Sequence, residues 1–458
     1  MIRLLRSIRH LILGLLAMGC APAIAQSSLA PCATDAAFTR LPGLDYACIR
    51  LRSGGHVLAA QTPDKSKPSV LLVHGLGSNA HRDWRYVYPT LAEQFHLVML
   101  DLPGFGNSAA LSGGYSFDGL AKALDEVTER FELTHFHVVG HSLGAAVSLF
   151  FADRHPTRVD RLVLIDVAGV LQKQVFARQL LQANRSATLD GVMGLLGQGR
   201  GDAWIDLLED QVDASSQLLA IPAVRNAVLG MPLNADAALG LVEHDFTAAI
   251  RNVRAPTTLI WGQNDTVTPL RTGQVLLARM PDARLQIVEG AQHMPAVERP
   301  EATSRLLLSA LGSPLQPRQV HVRDKTQGDV SCKDQPGATY TGTFDRLSLT
   351  NCANARIERA FLKQLVVEGG SVDLVQVAID ADAVALQASN ASVMGTGMTI
   401  AGDTAVRASN SRVDLAGVSV RARKQAVEMA GSRVYFSVSD IDSPEYRGDA
   451  HFRWPPPR

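Results

Sequence analysis

Six segments of the chain are apolar without polar alternation: Ser69 to His74, Leu97 to Asp101, Phe136 to Gly140, Arg161 to Asp166, Thr257 to Trp261 and Arg284 to Val288. Runs of this kind predict strands covered on both faces, as in a parallel sheet. Between them lie helical patterns. In one, Leu120, Leu124, Val127 and Phe131 fall at spacings of four, three and four, which makes a single apolar stripe. Strands alternating with helices predict an α/β fold, a doubly wound and mostly parallel sheet over residues 35–312. Ahead of the first run, Tyr46 to Gln61 alternates on either side of Ser53-Gly54-Gly55, which predicts a β-hairpin. From Val170 to Phe246 no clear strand pattern is present, and Leu, Ala and Gln recur at helical spacing. This segment, 170–246, is expected to form a helical lid insertion; it is longer than two ordinary crossover helices require.

After Pro314-Leu315-Gln316-Pro317 the texture changes, and 313–330 reads as a linker. The segment Ala385-Leu386-Gln387-Ala388-Ser389-Asn390 recurs as Ala405-Val406-Arg407-Ala408-Ser409-Asn410, a shift of 20, and more loosely as Ala426 to Gly431, a further shift of 21. Val393, Val413 and Val434 keep the same step, as do Met398 and Val418; a fainter earlier copy is Val366 to Val372. Short alternating strands, turns of Asn, Gly and Ser, and few aromatic residues at this period predict a C-terminal all-β domain over 331–458, a small β-solenoid. The alternative is an irregular β-sandwich.

The first residues change the picture of where the protein works. Arg3, Arg6 and Arg9 precede a short apolar run from Leu11 to Met18, and Ala23-Ile24-Ala25 offers the small residues that signal peptidase needs. A signal peptide over 1–25 predicts a secreted or periplasmic protein. The competing reading is a membrane-anchored lipoprotein through Cys20. Removal of the leader leaves Cys32, Cys48, Cys332 and Cys352, an even number in an oxidising compartment. Local pairs are expected, Cys32 with Cys48 and Cys332 with Cys352. Lys+Arg 44 balances Asp+Glu 44, so no basic surplus points to nucleic acid. No Cys/His spacing resembles a zinc site, and no cofactor or metal is signalled.

The chemistry gathers where the apolar runs end. Gly140-His141-Ser142-Leu143-Gly144 follows a predicted strand and opens a helix, the context of a nucleophile elbow with Ser142 at its tip. A serine hydroxyl needs a base to take its proton. His293, in Gly290-Ala291-Gln292-His293-Met294-Pro295, lies just beyond the last predicted strand, and this position separates it from the other histidines. An acid must orient the imidazole. Asp265, in Trp261-Gly262-Gln263-Asn264-Asp265, gives the chain order Ser, Asp, His, and Asp166, at the end of an earlier strand, is the alternative. The backbone amides of Leu76, in His74-Gly75-Leu76-Gly77, and of Leu143 are candidates for an oxyanion hole. His74 is expected to be structural, and Asp101 to hydrogen-bond its own turn, Leu102 to Gly106.

Together these motifs, over roughly Tyr46 to Leu311, resemble the α/β-hydrolase superfamily, in its lidded esterase, lipase and C–C hydrolase branch. A serine at 142 argues against the dehalogenase and epoxide-hydrolase branches, whose nucleophile is aspartate. The resemblance implies a serine hydrolase acting on small-molecule or lipid esters through an acyl-enzyme. On the same triad, a C–C hydrolase, a thioesterase or a cofactor-free peroxidase are alternatives. A further one is a protein that binds polysaccharide or the cell surface through its C-terminal domain, although that domain has few aromatics to stack on sugars. The C-terminal repeat lies outside the resemblance and rests on its period alone.

Overall fold

The computed structural model describes residues 40–457 apart from 78, 112–115, 173–174, 176–236, 238–239, 242–243 and 315–322. The leader, Cys20, Cys32 and most of the expected lid lie outside the described residues. The hairpin is formed by β1 (Asp45–Arg50) and β2 (His56–Gln61), paired antiparallel. Each of the six apolar runs is a strand: β3 (Ser69–Val73), β4 (His96–Leu100), β5 (Phe136–His141), β6 (Val159–Ile165), β7 (Thr257–Gly262) and β8 (Ala283–Val288). They form one eight-stranded sheet in the order β1-β2-β4-β3-β5-β6-β7-β8, parallel from β4 onward.

The continuous apolar runs are explained by burial on both sides of this sheet. Leu71, Val73, Val98, Leu100, Val138, Leu162 and Leu164 belong to one core, whereas the alternate residues Val70, Leu72, Leu97, Met99, Val139, Val163 and Ile165 belong to the other. Because side chains alternate across a strand, both cores demand apolar residues and no polar period survives. Helices cover the two faces. In α1 (Phe117–Arg130) Leu120, Leu124 and Val127 are buried, as their spacing predicts, and Ser116 caps the first turn by accepting from the Gly119 N–H at 3.1 Å. The helix α2 (Leu143–Arg154) follows β5 and is buried on nearly every side. The helices α3 (Leu270–Arg279) and α4 (Pro300–Gly312) follow β7 and β8.

The C-terminal part is a parallel β-solenoid with an antiparallel end. Leu386 in β12 (Val384–Ser389) pairs with Val406 in β14 (Thr399–Ser409), and Val406 with Val427 in β16 (Ser419–Ala430). These registers reproduce the shifts of 20 and 21 seen in the sequence. On the next side, β13 (Ser392–Thr396), β15 (Arg412–Ala416) and β17 (Arg433–Asp442) stack Val393 on Val413 on Val434. Inward Leu, Val and Ala residues fill the coil in layers, so rings are not needed there. One corner requires left-handed backbone, and Asn390 (φ 49°) and Asn410 (φ 48°) supply it. Asparagine tolerates that conformation better than other residues with a side chain.

The solenoid begins earlier than the repeat in the sequence suggests. β9 (Asp329–Lys333) begins two residues ahead of the expected boundary at 331, and β10 (Thr339–Val375) winds through the first coils. There the step is shorter: Asp329 pairs with Arg346, and Phe361 with Ala378 of β11 (Ala378–Asp380), 17 residues apart in each case. The Cys332–Cys352 disulfide forms as expected. Cys48 is also disulfide-bonded; Cys32, its expected partner, lies outside the described residues. At the far end β18 (Arg447–Arg453) turns back antiparallel along β17, and Phe452 and Trp454 close over Phe436. The aromatics are thus concentrated where the stack must be capped.

The solenoid is docked on the α/β domain through α3. Arg271, 8% exposed, donates from Nη1 to Asp414 Oδ2 at 2.8 Å, from Nη2 to Asp414 Oδ1 at 3.1 Å and from Nε to Thr396 Oγ1 at 2.9 Å. Arg279, at the other end of α3, pairs with Asp440 at 2.7 Å. Ala416, Tyr435 and Val438 of the solenoid join the larger core of the α/β domain. The Gln172 N–H donates to Ser437 Oγ at 3.0 Å, and Arg251 pairs with Asp449. Among the described residues no helix is long and apolar enough to cross a membrane.

Candidate functional site

Strands β5, β6, β7 and β8 all end on one edge of the sheet, and the loops beyond them converge there, at the carboxyl ends where open α/β sheets place their sites. Ser142 stands between β5 and α2 with φ 52° and ψ −116°, a conformation costly for a residue with a side chain. It persists because its neighbours over-determine it. The Ser142 N–H donates to the Ile165 carbonyl at 2.9 Å, and α2 packs directly against the sheet. A Cβ on Gly140 would lie 2.5 Å from the Gly144 carbonyl oxygen, and one on Gly144 would collide with the carbonyls of Val73 and His74. The two glycines of the pentapeptide are therefore requirements of packing.

The three side chains singled out in the sequence meet here. The Ser142 hydroxyl lies 3.0 Å from His293 Nε2, and His293 Nδ1 lies 2.8 Å from Asp265 Oδ2. A carboxylate can only accept, so Nδ1 carries the proton and Nε2 is left as acceptor for the serine hydroxyl. Asp265 is fixed in turn by the loop it belongs to. Its Oδ1 accepts the N–H groups of Val267 and Thr268 at 2.7 and 2.9 Å, and its Oδ2 accepts the Thr268 hydroxyl at 2.6 Å. Burial opposes ionisation of Asp265, but the hydrogen bond and charge of His293, with the Thr268 bonds, outweigh it and hold the carboxyl below its ordinary range. Asp265, not Asp166, is thus the acid in contact with the imidazole. Ser142 and Asp265 are buried while the His293 side chain is 20% exposed, so the chain of hydrogen bonds opens to the outside at the imidazole.

The other expected residues take their places around this line. The Leu143 amide opens α2 beside Ser142, and Leu76 lies in the loop after β3; among the described residues neither amide is engaged by another protein group. His74 is fully buried. Its Nε2 accepts the Leu102 N–H at 2.9 Å and its Nδ1–H donates to the Gly75 carbonyl at 2.7 Å, a structural role. Burial lowers its pKa to about 4, which keeps the ring neutral. Asp101 binds its turn through the Asn107 N–H at 2.9 Å, and also accepts from His81 Nδ1–H at 2.6 Å.

His141 is a residue that the sequence reading left without a role. It is buried, and its Nε2–H donates to the main-chain carbonyl of His293 at 2.6 Å. Burial, and then the nearby His293, bring its pKa down to about 3, so it remains a neutral donor. It ties the loop bearing His293 to the end of β5, next to Ser142. Nothing in a Gly-His-Ser string indicates such a contact, because its partner is a backbone carbonyl 152 residues away.

Sheet order, elbow and this line of hydrogen bonds define a hydrolase scaffold. The family model for the alpha/beta hydrolase fold matches residues 68–300, about half of the 458-residue chain, and the chain belongs to that family. Among curated relatives, monoacylglycerol lipase abhd6-B of Xenopus laevis is 29% identical over 266 residues, covering 54% of this chain and 76% of the relative. The uncharacterized hydrolase YugF of Bacillus subtilis is 26% identical, covering 55% of this chain and 92% of the relative. Among solved structures, a hydrolase from Pseudomonas aeruginosa matches with a TM-score of 0.44 and 24% identity over 59% of this chain and 99% of that one. The family match ends before the solenoid begins.

Proposed function

We propose that the protein is an exported serine hydrolase of carboxylic esters, with Ser142, His293 and Asp265 as its catalytic triad. The observation that carries this reading is the line from Ser142 Oγ to His293 Nε2 at 3.0 Å and from His293 Nδ1 to Asp265 at 2.8 Å. Ser142 Oγ attacks the acyl carbonyl as Nε2 takes its proton, and the Asp265 carboxylate stabilises the imidazolium so formed. The N–H groups of Leu76 and Leu143 receive the oxyanion. The imidazolium then gives its proton to the leaving alcohol, and the neutral ring activates water to release the acid from Ser142. His141 holds the main chain of His293 through both half-reactions.

An ester as substrate is supported by the lipase named among the relatives. The Cys332–Cys352 disulfide supports an oxidising compartment and hence export. The reading is tested by hydrolysis of p-nitrophenyl acyl esters from acetate to palmitate by wild type beside Ser142→Ala. The expected result is turnover by the wild type that is lost in the variant, with the chain-length optimum defining the acyl pocket. Equal rates in the two proteins would refute it.

A further inference from the structure

Asp166 is the ionisable group at the site that the triad leaves unused. It ends the β6 edge with no exposed surface and with φ 46°, an uncommon conformation for a residue with a side chain. Its Oδ1 accepts the Gly262 N–H at 2.9 Å. Its Oδ2 is buried and, among the described residues, receives no hydrogen bond from an N–H or O–H donor. An orphaned anionic oxygen in such a place is costly. Among the described residues, the groups that bear most on its charge include no Lys or Arg. Asp265 and Glu298 are the charged carboxyls that bear on it, and one of its oxygens lies within 4.8 Å of a ring nitrogen of both His141 and His293. His141 is neutral, and the Nδ1–H of His293 is committed to Asp265.

The Thr268 hydroxyl lies 2.6 Å from Asp265 Oδ2 and 3.2 Å from the Asp166 main-chain carbonyl, which brings the two acids together, and neighbouring buried carboxyls resolve this conflict by sharing one proton. We propose that Asp166 is a neutral carboxylic acid whose Oδ2–H donates to the Asp265 carboxylate, making it a positioning residue behind the triad. Burial first, and then the charge of Asp265, drive its carboxyl well above the ordinary range, in keeping with this role. The consequence is chemical as well as structural. The proton placed on Asp166 fixes which side of Asp265 faces His293, adds a donor to those of Val267 and Thr268, and makes Asp265 a poorer base toward the imidazolium. Asp265 then steers the ring without removing its proton. This inference rests on the triad assignment above.

The test uses the full chain and three proteins: wild type, Asp166→Asn and Asp166→Leu. Asparagine keeps both the acceptor for Gly262 and a donor for Asp265, whereas leucine keeps neither. The expected result is a kcat for Asp166→Asn within about threefold of wild type. For Asp166→Leu, kcat should fall roughly 10- to 100-fold, the size of one hydrogen bond to a charged group, with KM unchanged. A second readout needs no turnover. A group neutral when folded and ionised when unfolded lowers stability as pH rises above the unfolded value near 4. Relative to Asp166→Asn, wild type should therefore gain up to about tenfold in its unfolding constant per pH unit from about pH 4 upward. Identical pH slopes for wild type and Asp166→Asn would show that Asp166 is ionised and would overturn the proposal, as would an Asn variant as impaired as the Leu variant. The two failures are separable. If Asp265→Asn retained full activity, the triad assignment would fall, while the stability slopes would still report the state of Asp166.

Discussion

The His293→Ala variant is expected to lose roughly 10⁴- to 10⁶-fold in kcat on any ester that the wild type cleaves. The loss should be this large because three roles are concentrated on one ring. In the proposed mechanism His293 takes the proton of Ser142 Oγ, carries the positive charge between Asp265 and the oxyanion, and returns the proton to the leaving group. The fold should survive. The ring is partly exposed and its hydrogen bonds go to Ser142 and Asp265, whereas the loop around it is held by main-chain contacts such as the Asn264 N–H to the Ala291 carbonyl at 2.8 Å. Steady-state kinetics on folded variant, with circular dichroism as the control, check this. A fall of less than about tenfold would mean that another group acts as base.

The second large effect is on stability and lies far from Ser142. Replacing Arg271 with alanine should cost about 3–5 kcal/mol, because it leaves the buried Asp414 carboxylate without its partner. Asp414 receives two of the guanidinium N–H groups, and Thr396 a third. The double variant Arg271→Ala with Asp414→Ala should recover part of the loss, since it removes the stranded charge as well as the pair. Urea denaturation of the four proteins of this cycle provides the measurement. A loss under about 1 kcal/mol for Arg271→Ala would show that the interface holds without this pair, through the apolar residues Ala416, Tyr435 and Val438 and the remaining polar contacts such as Arg279 with Asp440. The same contacts imply that the solenoid is part of one folded body with the α/β domain, because three of its residues complete that domain's core.

How much of this was legible in the sequence depends on whether a feature is local. The six strands of the sheet were readable because burial on both faces leaves an unbroken apolar run. The elbow was readable because the backbone at Ser142 tolerates only glycine at 140 and 144. The solenoid was visible only where its step is 20 or 21. Ahead of Val366 the coil shortens to 17 residues, and the repeat of small and apolar positions falls out of phase with the later copies. Position in the chain favoured Asp265 and left Asp166 as the alternative, since both follow strands on the same edge. The Thr268 hydroxyl and the Val267 and Thr268 amides decide between them by presenting Asp265 to the imidazole, and they do so through three-dimensional placement. His141, Arg271 and Asp414 stayed hidden for a similar reason. Each is an ordinary polar residue by composition, and its role comes from partners more than a hundred positions away.

The most direct test of the proposed chemistry is labelling with a fluorophosphonate, which forms a covalent bond only with an activated serine. Wild-type protein treated at neutral pH should gain one phosphonyl group on the peptide containing Ser142, seen by mass spectrometry, and His293→Ala should gain none at the same exposure. Absence of the adduct from folded wild-type protein, or its appearance on a serine other than Ser142, would contradict the assignment of Ser142 as the nucleophile.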